Sequence, residues 1–126
     1  MKTKSKKFKE ISTPDKLQLV SEWLDEKQAI DVVAIDVTGI CPISEIVMVV
    51  SAKGVRHAQS LADNTLGNLS RDTIEYLGME GYQTGDWILL DLNDIIIHIF
   101  QEDNREFYNV EGLWSEGTRI ELDINR

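Results

Sequence analysis

The chain has 126 residues, with 13 Lys+Arg against 22 Asp+Glu and 42% hydrophobic residues, a composition that excludes a disordered or collagen-like polymer. One cysteine, Cys41, and two histidines exclude an intramolecular disulfide and a Cys/His zinc site. Five lysines fall within the first nine residues, so residues 10–126 hold 8 basic and 22 acidic groups, a balance of -14. Such a body lacks the clustered cations that grip nucleic acid and suits a basic partner instead.

In chain order, residues 1–12 read as a flexible basic arm. Its lysines are not followed by the apolar stretch of a secretory signal, and no later run approaches the roughly 20 apolar residues of a membrane span. With its unpaired cysteine, the chain is expected to be cytoplasmic. Thr13-Pro14-Asp15 marks a helix start, Thr13 as cap and Pro14 in the first turn, and Leu17, Val20 and Leu24 share a face up to about Gln28. Residues 31–37 and 45–51, β-branched and apolar, predict two strands around the Thr38-Gly39 turn. Beyond Gly54, the spacing of Ala58, Leu61, Ala62, Leu66, Leu69 and Thr73 predicts a long helix ending at Leu77, with Gly78 as its C-terminal cap.

Residues 87–92 and 95–100 predict a hairpin about Asn93-Asp94. Either turn register leaves the same side chains together. One face, Ile88, Leu90, Leu92, Ile95, Ile97 and Ile99, is wholly apolar and belongs under helices. The other carries Trp87, Leu89, Asp91, Ile96, His98 and Phe100, too apolar for open solvent and too polar for a second core. Two readings stand: a binding surface, or a face covered by another segment or a second copy of the chain. Residues 101–108 predict a short helix with Asp103 as cap, and residues 115–126 a polar tail. The result is one α+β domain over residues 13–114.

Enzyme signatures are sparse. The chain lacks a phosphate-binding G-x-x-x-x-G-K-[ST] loop, a G-x-G-x-x-G turn, H-E-x-x-H and G-x-S-x-G. Cys41, His57 and His98 lie on separate segments, and each is expected to pack rather than catalyse. Ser51-Ala52-Lys53-Gly54 is a weak anion-binding signal, better read as a strand-to-helix turn. Asp91 and Asp94 are possible cross-strand neighbours that would suit a divalent cation in a metal-dependent nucleotide-binding enzyme, although aspartates at a turn more often serve backbone donors. From Asp86 onward acidic groups outnumber basic ones ten to three, and Trp87, Tyr108 and Trp114 fall there too. Core packing is the expected place of Trp114. An exposed Trp87 among carboxylates suits a partner presenting Arg or Lys.

Residues 31–37, Glu80-Gly81, the W-x-L-L-D run at 87–91, the D-x-x-x-H strand from Asp94 to His98, Arg105-Glu106-Phe107-Tyr108 and Glu111-Gly112-Leu113-Trp114 together resemble the ribosomal silencing factor (Iojap-like) family. The similarity runs in unbroken order over about residues 14–114. It implies a nucleotidyltransferase-like mixed β-sheet with helices on one face, no working catalytic site and no cofactor or metal. It further implies a translation repressor that docks on the large ribosomal subunit through that subunit's ribosomal protein fourteen, blocks the small subunit and acts when nutrients are scarce. Self-association as a homodimer is also implied as plausible. On this resemblance Trp87 and Leu89 are the expected apolar centre, Asp91, Asp94 and Glu80 the acidic rim, and His98 a cross-strand support. The chain departs from the family pattern at Ser44-Glu45-Ile46 and Ala52-Lys53-Gly54, and at the hairpin tip Leu92-Asn93 replaces Tyr-Gly.

Overall fold

A computed structural model describes residues 8–124. Helix α1 (Thr13–Glu26) leads to β1 (Ile30–Asp36) and β2 (Ile46–Ala52), then α2 (Val55–Arg71). Strands β3 (Gly78–Glu80), β4 (Trp87–Asp91) and β5 (Ile95–Gln101) follow, then α3 (Glu102–Tyr108), α4 (Val110–Leu113) and β6 (Thr118–Ile120). The strands form one mixed sheet in the order β3-β4-β5-β2-β1-β6, parallel between β2 and β5 and antiparallel elsewhere. This is the expected α+β sheet, with both long helices on one face.

That face holds the main core. Leu17, Val20, Trp23 and Leu24 of α1 and Ala58, Leu61, Ala62 and Leu69 of α2 lie over Ile46, Met48 and Val50. The predicted apolar hairpin face, Ile88, Leu90, Leu92, Ile95, Ile97 and Ile99, is fully buried in the same cluster. Burying a side chain of this kind is worth about 1.5–3 kcal/mol, so the register that faces all six inward excludes its one-residue slip.

Several boundaries differ from expectation for identifiable reasons. Ser12, not Thr13, caps α1, its Oγ accepting from the Asp15 amide, while the Thr13 hydroxyl turns to Asp94. Both long helices end in the same backbone device without glycine. At α1, Gln28 takes φ 62° and the Ala29 and Gln28 amides return to Leu24 and Asp25. At α2, Thr73 takes φ 58° and the Ile74 and Thr73 amides return to Leu69 and Ser70, which ends the helix six residues before the predicted Leu77. These are Schellman closures, in which the residue after the reversal packs back on the helix; Ile74 and Leu69 are both buried. Gly78 instead opens β3, and Gln101 rather than Asp103 precedes α3.

The segments flanking the domain also engage it. Of the expected arm, residues 1–7 lie outside the described residues, whereas the Lys9 amide donates to Thr73 O and Ile11 packs against the core. Within the expected polar tail, β6 pairs with β1.

Candidate functional site

The period of two along β4 and β5 puts Trp87 opposite Phe100, Leu89 opposite His98 and Asp91 opposite Ile96. Glu80 of β3 pairs with Leu89, so Glu80, Leu89 and His98 form one row across the second face. This second face is neither wholly open nor wholly covered. The segment after β5 folds back over part of it, and Val110 and Trp114 join Ile35, Val37, Val47, Val49 and Phe100 in a second small core. Phe100 is fully buried and His98 is 9% exposed. What stays open lies toward β3 and β4: Trp87, Leu89, Asp91 and Ile96 are half-buried and Glu80 is exposed.

Trp87 is therefore neither free nor sealed. Its ring centroid lies 4.8 Å from that of Phe100, 4.7 Å from Tyr108 and 5.8 Å from His98. The indole Nε1–H donates to His98 Nδ1 at 3.0 Å, which fixes the imidazole as a neutral acceptor at that atom. Burial pushes the His98 pKa from 6.5 down to about 4, and the bond to the neutral form acts in the same direction. The expected supporting role of His98 thus has a direct contact behind it.

The acidic residues divide. Asp94, expected at the rim, is turned toward α1: Oδ1 meets Lys16 Nζ at 2.8 Å and Oδ2 accepts from Thr13 Oγ1 at 2.7 Å. Burial alone would raise the Asp94 pKa, but the bonds from Lys16 and Thr13 outweigh it and hold the carboxyl below its usual range. The Lys16 ammonium is itself buried and also donates to Leu92 O and Glu75 O. Asp94 thus ties the hairpin tip to α1. Asp91 lies in the open-face row, one oxygen accepting from the Asn93 amide. The two carboxylates thus serve opposite sides of the sheet. Among the described residues no group of three or more His, Cys, Asp or Glu side chains is placed to hold a metal ion. Glu80 and Asp91 remain as the negative border.

Residues not expected at the site come from the C-terminal segment. Tyr108, half exposed, lies tilted against Trp87, and Phe107, 78% exposed, meets Tyr108 edge-on. Arg105 holds that segment down. Nη1 donates to Ser51 Oγ at 2.8 Å, and Nε and Nη2 reach the two Glu111 oxygens at 3.0 and 3.1 Å. These bonds, led by the Arg105 fork and opposed by burial, hold the Glu111 carboxyl below its usual range. Arg119 of β6 adds a longer contact to Glu111 at 3.7 Å. With both arginines engaged there, the described final third offers little positive charge to offset its carboxylates. The sequence signal for these contacts was the Arg105-to-Tyr108 run itself, whose direction only the fold supplies.

The fold is therefore a mixed sheet that presents an acid-bordered aromatic patch. The sequence profile described as "Ribosomal silencing factor during starvation" matches residues 10–126. The chain is 32% identical over 113 residues to the ribosomal silencing factor RsfS of Halalkalibacterium halodurans, a match covering 90% of this chain and 97% of that one. A shorter match, 47% over 39 residues, covers 31% of this chain and 17% of the chloroplastic protein Iojap of Zea mays. A crystal structure of a Bacillus halodurans protein superposes with a TM-score of 0.78 at 31% identity, covering 87% of this chain and 100% of that one. The chain belongs to the RsfS family of ribosomal silencing factors. No helix among the described residues is long and apolar enough to cross a membrane.

Proposed function

We propose that this protein represses translation, without catalysis, by docking the open face of β4 and β5 on the large ribosomal subunit. Its partner there is ribosomal protein fourteen of that subunit, and the docked protein occupies space that the small subunit needs. Nutrient limitation is the condition in which this silencing operates, in the cytoplasm. The observation that carries the reading is Trp87, an indole held half-exposed by His98 at the centre of an apolar patch with Leu89 and Ile96, bordered by Glu80 and Asp91. Interfaces draw most of their energy from a few such anchored aromatic side chains, and a neighbouring anion favours an Arg- or Lys-bearing partner.

Co-sedimentation with isolated large subunits tests this. Wild-type protein is expected to pellet with them and to lower the fraction that joins small subunits. Trp87→Ala should weaken binding by at least about 30-fold, the scale of an interface hot spot. Leu89→Ala, which spares the contacts of the indole with Phe100 and Tyr108, should weaken it less. Undiminished binding by both folded variants would place the docking face elsewhere.

A further inference from the structure

The open face is set by a segment that does not belong to the hairpin. After β5 the chain turns into α3, reverses at Asn109 with φ 47°, and enters α4. Nothing in α3 is buried, and its apolar contact with the sheet is the ring of Tyr108 against Trp87 and Phe100, so polar ties must set the rest of its placement. Asn104 Nδ2 donates to Asp86 O at 3.2 Å, and the more enclosed tie is Arg105, whose side chain is only 12% exposed and spans three elements: Ser51 on β2, its own helix α3, and both oxygens of Glu111 on α4. Three residues further along α3 from that anchor stands Tyr108, on the ring of Trp87. Residues three apart on a helix lie on neighbouring positions of its surface, so the orientation of the guanidinium sets where the phenol ring rests.

We propose that Arg105 is a positioning residue for the docking face: its fork to Glu111 and its bond to Ser51 fix α3 so that Tyr108 covers one side of Trp87 and leaves the other to the partner. The inference rests on the docking reading for its consequence in binding, but the placement of Trp87 is a property of the free protein. A planar guanidinium makes all three bonds at once, which a lysine ammonium cannot reproduce.

The test combines two readouts. In proton–nitrogen correlation spectra, the indole N–H resonance of Trp87, assigned by its loss in Trp87→Phe, reports the bond to His98 and the ring of Tyr108. Arg105→Gln is expected to move that resonance and to weaken co-sedimentation with large subunits about tenfold, the size of one interface coupling. Tyr108→Ala should do the same, and the double variant should bind no worse than Tyr108→Ala alone. Losses that multiply in the double variant, or an unmoved resonance in folded Arg105→Gln, overturn the proposal. If wild-type protein does not bind large subunits, the docking reading fails while the resonance still decides the role of Arg105. Should Arg105→Gln not fold, Glu111→Gln and Arg105→Lys take its place, with a smaller resonance shift expected and an unmoved resonance again overturning the proposal.

Discussion

An imidazole nitrogen that accepts a hydrogen bond cannot take a proton without losing that bond, and His98 Nδ1 accepts from the indole of Trp87. The ring is also 9% exposed, so a charge there would be poorly solvated. Its pKa is lowered to about 4 in the folded chain, against 6.5 for a freely solvated imidazole. The sign follows directly. Between those values the unfolded chain binds a proton that the folded chain refuses, so stability present above pH 6.5 is lost as pH falls toward 4. The loss reaches about 3 kcal/mol near the lower end. His98→Gln supplies an oxygen that can still accept from the indole but does not titrate. Urea unfolding at about pH 7, above the window, and at about pH 4.5, near its lower end, should therefore show a smaller acid-induced fall in stability for the variant than for wild type. Equal falls would assign the acid sensitivity to the carboxylates alone.

Between elements, Lys16 joins three parts of the chain. Its ammonium joins α1 to the hairpin tip through Asp94 and Leu92 O, and to the segment before β3 through Glu75 O. Lys16→Met removes the cation and leaves a partly buried carboxylate, at a cost of about 3 kcal/mol. Thr13→Val removes one neutral donor to the same carboxylate and should cost about 1 kcal/mol. Urea midpoints should fall in that order with unchanged slopes. This tie also marks where the sequence stops being informative. Pairing of the hairpin was legible because six consecutive alternate positions are apolar, and Trp87 and Leu89 were legible as the opposite set. The direction of Asp94 was not, since an aspartate at a turn reads alike whether it faces solvent or a lysine 78 positions away. Strands β3 and β6, three residues each, have no period of their own and exist through their neighbours. The end of α2 falls short of Leu77 because Thr73 occupies a left-handed position where glycine is the usual signal.

For the whole molecule, the proposed docking makes charge decide which part of a ribosomal subunit the protein can approach. Residues 10–126 carry a balance of -14, and a particle rich in RNA repels such a body everywhere except where a basic protein breaks the surface. On the docking reading, long-range repulsion and short-range attraction coexist, and added salt weakens both, so the salt dependence of wild-type binding alone does not isolate the acidic border. A comparison does. Asp91→Asn keeps the oxygen that accepts from the Asn93 amide while removing one negative charge from the open face, and it changes the overall charge little. The general repulsion is then nearly common to both proteins and cancels in the ratio of their affinities. If Asp91 meets a cation of the partner, Asp91→Asn should bind large subunits a few-fold more weakly at low salt, with the ratio closing toward one as the screening length shortens from about 10 Å at 0.1 M to about 3 Å at 1 M. Equilibrium binding measured across that salt series checks it. A ratio that stays at one throughout means that the carboxylate faces solvent in the complex, and that the partner is chosen by the fit around Trp87 rather than by charge.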